Sequence, residues 1–215
     1  MQLLVGLGNP GPRYEGTRHN AGFEVVRAVA ARAGAAWRDD GPLRARSAAL
    51  RVGDDEALLL LPQTFMNRSG ESVRAAVEAL RLDPARDLLV VFDDLDLGLG
   101  RLRLRAAGGC GGHRGMESIA DALGTTAFPR LRFGIGRPRA GGDVVEWVLS
   151  RFDDAERAAF GSAVERAADA VHAVWSDGIE RAMERVNRAP TAEPAPDGRG
   201  DARASADARG GEREG

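Results

Sequence analysis

A histidine that follows a short apolar run is the first group able to do chemistry. His19 lies in Thr17-Arg18-His19-Asn20-Ala21-Gly22, between the run Gln2–Leu7 and a helical pattern from Ala21. Loops at such positions carry function on α/β scaffolds, and an imidazole titrating near neutrality suits general-base work. On position alone the plainer reading, a surface loop residue at a helix start, stands ahead. Asp93, Asp94 and Asp96 end the apolar run Leu88–Phe92, where ligands of open sheets bind. Two carboxylates there could hold a divalent cation. Histidines are few, however, and no His-x-x-x-His or His-x-Glu spacing occurs. One carboxylate orienting an imidazole is the simpler role, and for Asp94 and Asp96 a solvated acidic turn is an equally good account.

Two glycine-rich stretches follow from the same search. Gly108-Gly109-Cys110-Gly111-Gly112-His113-Arg114-Gly115 precedes a helical pattern and could aim backbone N–H groups at an anion. Cys110 would need a polarised thiol and a nearby base to act as nucleophile; a single cysteine among glycines is more often incidental. Gly6-Leu7-Gly8-Asn9-Pro10-Gly11 fits a dinucleotide fingerprint, but no helix opens at its third glycine and no acid ends a strand some twenty residues on. The glycines and Pro10 would instead form a rigid turn presenting the Asn9 amide.

The elements that must position these groups alternate between two periods. Strands are expected at Gln2–Leu7, at Ala45–Val52 and Ala57–Leu61 as a hairpin around Gly53-Asp54-Asp55, at Leu88–Phe92 as a central strand, and at Leu131–Ile135. Leu99–Arg105 alternates, with Arg101, Arg103 and Arg105 on one face. Helices are expected at Ala21–Ala33, stopped by Gly34, and at Gly70–Leu82, Gly115–Leu123, Asp143–Leu149, Asp153–Trp175 and Gly178–Asn187, with Asn20 and Ser69 as candidate caps. Pro62–Ser69 reads as loop. The fold class is therefore α/β: a single-domain three-layer sandwich, a mixed central sheet with helices on both faces.

Of the 215 residues, 1–188 are expected to form this domain. From Ala189 to Gly215 no aliphatic side chain is larger than alanine, so 189–215 is expected to be a disordered tail. The lone cysteine excludes an internal disulfide, and the first residues carry no evident signal peptide. Apolar runs such as Ala57–Leu61 are far too short to span a bilayer; a cytoplasmic protein is the default. Net charge is −2, against a generally cationic nucleic-acid binder, yet eight arginines face only Glu117 and Asp121 between Leu99 and Ala140. Local clustering decides phosphate binding. Beside the glycine loop and Arg132, the arginines of 101–105 would form a phosphate patch; otherwise they are a solvated sheet face.

Taken in order, Gly6–Gly11, Thr17–Gly22, Thr64-Phe65-Met66-Asn67-Arg68-Ser69-Gly70, Asp93-Asp94-Leu95-Asp96-Leu97, Gly111-Gly112-His113 and Phe133-Gly134-Ile135-Gly136-Arg137-Pro138 resemble the bacterial-type peptidyl-tRNA hydrolase family. The resemblance runs from Leu3 to about Val186 and leaves the tail uncovered. It implies an esterase that cuts peptide from the 3′ ribose of tRNA, recycling tRNA from peptides that dropped off or stalled on ribosomes. Carried onto this chain, it makes His19 the general base and Asp93 its orienting acid. Asn9 would read the blocked peptidyl amide, Phe65, Met66 and Asn67 would bind substrate at the cleavage site, and Tyr14 would touch tRNA. Arg105 and Arg132 would grip the 5′ phosphate of the acceptor stem. His113 and Arg114 are carried over as substrate-binding. No metal or cofactor is implied, nor any membrane; a monomer is usual, and partners are peptidyl-tRNA and stalled large ribosomal subunits. The chain departs from the family at Arg114, where an asparagine is usual; a guanidinium only donates and cannot accept a proton from water. That departure keeps open a non-catalytic RNA-binding relative. A metal-dependent peptidase on a similar sheet lacks ligands.

Overall fold

The structure, a computed structural model, describes residues 1–188. The tail expected at 189–215 lies outside the described residues. Seven strands form one mixed sheet in the order β2-β3-β4-β1-β5-β7-β6. The strands are β1 Gln2–Gly6, β2 Arg38–Asp40, β3 Ala45–Val52, β4 Asp55–Pro62, β5 Leu88–Asp94, β6 Leu102–Arg105 and β7 Arg130–Gly134. The central strands β4, β1, β5 and β7 run parallel, while β2, β3 and β6 pair antiparallel with their neighbours. The three-layer reading therefore holds, with the mixed sheet supplied by the hairpin on one side and the arginine strand on the other.

Period-two alternation sorts each central strand between two cores. Leu4, Leu59, Leu89, Val91, Leu131 and Phe133 face helices α1 (Ala21–Arg32), α6 (Asp154–Asp177) and α7 (Ile179–Arg188). Leu3, Val5, Leu60, Val90 and Phe92 face α2 (Ser69–Leu80) and α4 (Arg114–Leu123). Two short helices, α3 (Pro84–Asp87) and α5 (Val144–Leu149), complete the set. Both faces of β1 and β5 are thus buried, as their apolar runs require, whereas β7 alternates and turns Arg130 and Arg132 to the α4 side.

One close approach fixes a helix to the sheet, and another fixes helix to helix. A Cβ on Gly22 would lie 2.3 Å from the Val91 carbonyl oxygen and 2.5 Å from the Leu7 nitrogen, so α1 sits directly on β1 and β5. A Cβ on Gly70 would lie 2.0 Å from the Ser118 carbonyl oxygen, which locks α2 against α4. On the outer edge, α7 lies along β6, and the Asn187 side chain accepts from the Leu104 N–H at 2.9 Å and donates to its carbonyl at 3.1 Å.

Several local expectations are corrected. β2 was not anticipated; it is short, charged and at the sheet edge, so no apolar pattern marks it. The Pro62–Ser69 segment holds a 3₁₀ turn at Met66–Arg68. Neither expected cap acts as one. Ser69 is the first residue of α2, with its hydroxyl donating to the Met66 carbonyl. Asn20 occupies the N-cap position of α1 without capping it, because its amide is engaged elsewhere. Leu88–Phe92 continues as a strand through both acids to Asp94.

Candidate active site

Asp93 lies near the carboxyl end of central β5, buried, and receives one histidine from each side of the sheet. His19, in the turn before α1, places Nδ1 2.9 and 3.0 Å from the two Asp93 oxygens. His113, at the N-cap of α4, places Nε2 2.9 Å from Oδ1. Burial alone would lower the His19 pKa. The charge of Asp93 and its hydrogen bond more than offset this, so the imidazole titrates above its ordinary value. Burial would raise Asp93, but the two facing histidines hold its carboxyl well below the usual carboxylate range.

Proton accounting fixes both rings. His113 Nδ1 accepts the backbone N–H groups of Gly115 and Met116 at 3.2 and 3.3 Å, so the ring proton is on Nε2 and goes to Asp93. With an ionised Asp93, His19 Nδ1 is the donor, which leaves its Nε2 lone pair for another partner. Three donor atoms of His19, Asp93 and His113 lie within 4.8 Å of one another, a spacing that a metal could use. A metal on His113 Nε2, however, would strip the ring of its last proton while Nδ1 still caps the helix. The hydrogen-bonded arrangement fits the backbone; a ligand set does not.

The neighbouring loops are clasped together by asparagines. Asn20 accepts from the Asn9 N–H at 2.8 Å and donates to the Asn9 carbonyl at 3.0 Å. Asn9 in turn accepts the Met66 N–H through Oδ1 at 2.8 Å. That bond settles which way the Asn9 amide faces: Nδ2, a donor, is left, and among the described residues it takes no partner. Arg18 anchors the His19 turn from the other side. Its guanidinium stacks 3.8 Å over Trp147 and 4.6 Å over Phe152, and it donates to Ser150 and Glu156.

His19, Asp93 and Asn9 open onto a cavity of about 580 Å³, which Arg105, Arg132, His113, Arg114, the glycine loop and apolar residues of α5 also line. Arg114 is exposed at the first turn of α4. Arg105 and Arg132 share the sheet face that points toward α4, since Arg105 pairs with Arg130 and Arg132 with Arg103. Tyr14, Phe65, Met66 and Asn67 lie outside this cavity. Tyr14 and Phe65 meet edge to face at 6.4 Å, with Phe65 56% exposed.

Several sequence expectations change here. His113 was expected to bind substrate, but both its nitrogens are engaged internally. The Met66 side chain is buried in the core against α4 and its N–H is taken by Asn9, so it supports the site from beneath. Asp94 is no solvated turn: alternation sends it to the Arg132 face, where it accepts from that guanidinium and from the Asp96 N–H. Asp96 is exposed and paired with Arg137. Arg130 leaves the cationic cluster altogether. It is 1% exposed and donates to the carbonyls of Phe128, Gly108, Gly109 and Thr126, which pins the glycine loop. Cys110 lines the cavity, but burial pushes its thiol up, away from the thiolate that a nucleophile needs. Asn20 and Arg18 were missed; each bonds residues distant in sequence, and only their place beside His19 could have flagged them.

Known proteins match across all of these segments. Residues 3–194 fit the sequence profile of the family described as "Peptidyl-tRNA hydrolase". A "Peptidyl-tRNA hydrolase" of Symbiobacterium thermophilum is 50% identical over 188 residues, 86% of this chain and 98% of the relative. One of Chloroflexus aggregans is 48% identical over 189 residues, 87% of this chain and 99% of the relative. Among solved structures, the peptidyl-tRNA hydrolase of Acinetobacter baumannii superposes with a TM-score of 0.84 at 35% identity, covering 89% of this chain and 97% of that one. A profile that spans every loop around His19, Asp93 and Asn9, and relatives that share about half of all residues over their whole length, leave one conclusion: the chain belongs to the peptidyl-tRNA hydrolase family.

Proposed function

We infer that this chain hydrolyses the ester joining a peptide to the 3′ ribose of tRNA, with His19 as the general base that activates water. The observation that carries the base assignment is the His19–Asp93 contact at 2.9 Å on the wall of an open cavity. Asp93 holds the Nδ1 proton, so Nε2 takes a proton from water as the water oxygen attacks the ester carbonyl carbon. The tetrahedral oxyanion is met by N–H donors, for which Asn9 Nδ2 and the glycine-loop backbone stand at the cavity wall. Collapse breaks the bond to the ribose oxygen, and the proton held on His19 goes to that leaving group. Peptide acid and tRNA hydroxyl result, and no metal step is required.

Asn9 also supplies the discrimination that the family resemblance implies. With Oδ1 committed to Met66, the amide offers only a donor. A donor suits the carbonyl of a blocked peptidyl amide and opposes the ammonium of an unblocked aminoacyl group. Arg105 and Arg132 supply cations for the 5′ phosphate, and exposed Arg114 is placed for backbone phosphate near the 3′ end. Exposed Phe65, with Tyr14 beside it, offers an aromatic platform on which a terminal base or ribose can lie, with exposed Asn67 next to it. Residues 1–188 act as the catalytic domain, and the enzyme works as a cytoplasmic monomer on peptidyl-tRNA released by drop-off or left on stalled large ribosomal subunits. Among the described residues no helix is long and apolar enough to cross a membrane.

The test is release of labelled N-blocked peptide from peptidyl-tRNA, with and without chelator. His19→Ala is expected to lower turnover by about 10²–10⁴-fold with tRNA affinity nearly unchanged. Substantial residual turnover removes the base assignment. Loss of activity on chelation would restore the metal reading, and a wild-type protein that binds without release would be the RNA-binding relative.

A further inference from the structure

We propose that His113 is a positioning residue for the reaction: it carries a hydrogen-bond chain from the N-terminus of α4 through Asp93 to the base, and so sets how strongly Asp93 holds His19. The proposal rests on His19 acting as base. The chain converges on Asp93 from both sides. The N–H groups of Gly115 and Met116 donate to His113 Nδ1, His113 Nε2–H donates to Asp93 Oδ1, and Asp93 accepts Nδ1–H of His19. Every donor and acceptor along it is matched, and reversing any link would leave two protons or two lone pairs facing each other.

The arrangement has a chemical effect beyond support. Asp93 Oδ1 is shared between the two histidines, each at 2.9 Å. A carboxylate oxygen that already accepts one hydrogen bond is a weaker acceptor for a second. His113 therefore moderates the pull of Asp93 on His19, and keeps the base from being held in its protonated, idle form. It also fixes the carboxylate in rotation, since Oδ1 is bound from the α4 side while His19 lies within reach of both oxygens. Asp93 acts on His19, and the two histidines act on Asp93; the cations Arg105, Arg132 and exposed Arg114 line the same cavity.

Two substitutions separate this role from helix capping, because an imidazole's nitrogens are mimicked by different amides. His113→Asn keeps an acceptor at the place of Nδ1 and loses the donor to Asp93. His113→Gln keeps a donor at the place of Nε2 and weakens the cap. On full-length enzyme with N-blocked peptidyl-tRNA, His113→Asn is expected to retain the thermal midpoint but lose roughly ten- to a hundredfold in kcat/KM. Its acid limb should move to higher pH, as Asp93 then holds the His19 proton more tightly. His113→Gln is expected to lower the thermal midpoint while keeping the pH profile and most of the activity. If His113→Asn keeps wild-type rate and profile, or if loss of activity follows loss of stability in both variants, His113 is only a cap and the proposal fails. A His19→Ala enzyme that retained turnover would instead remove the base reading, independently of either result.

Discussion

At the scale of single residues, the His19–Asp93 pair ties activity and stability to one proton. As the proposed base, His19 works only when neutral, and its pKa is raised. The acid limb of kcat/KM should thus have its midpoint above the ordinary imidazole value of about 6.5; a midpoint below it would contradict the geometry. Stability runs the opposite way. A group whose folded pKa is raised contributes fully below its unfolded pKa, and that contribution is lost as pH rises through the folded one. The thermal midpoint gap between wild type and His19→Ala should accordingly narrow from pH 6 to pH 8.5. The pair was legible through the family resemblance of several motifs in order; on position alone His19 read as a loop residue. Its surroundings were not. Asn20 to the Asn9 backbone, Arg18 to Glu156 and Arg132 to Asp94 join residues 11, 138 and 38 positions apart. No periodicity records such bonds, so Asp94 read as solvated and Arg130 as one cation among several.

At the scale of elements, backbone contact decides where the histidine arrives. α1 can bring the His19 turn to Asp93 only because Gly22 has no side chain between it and β5. Gly22→Ala should destabilise by about 1–3 kcal/mol, read as a lower urea midpoint. Since the clash is with backbone that cannot yield, it should lower activity even under conditions where the variant is folded. An unchanged midpoint would mean that the helix slides without cost. Most elements were visible beforehand, since central strands and packed helices show their burial as period. Where burial is slight the signal vanishes, as at β2, whose Arg38 and Asp39 are exposed. The caps failed for a related reason: a polar residue at a helix start can serve the helix or a neighbouring loop, and composition does not say which.

At the scale of the whole molecule, a net charge of −2 coexists with a cavity edged by arginines. Binding to tRNA should therefore weaken with salt, and Arg105→Ala with Arg132→Ala should flatten the log–log salt slope by about 1 to 2. An unchanged slope would place the phosphate contact elsewhere. The strand that carries Arg105 is also the last in its sheet, and Asn187 occupies the backbone groups of Leu104 from outside. One amide at the end of the described chain takes the place that a neighbouring strand would take. The sheet cannot grow from the middle of that border, and the like charges of the arginines oppose stacking as well, so the rim stays available to a polyanion. A side chain that touches no substrate thus keeps the arginine strand from serving as an aggregation template.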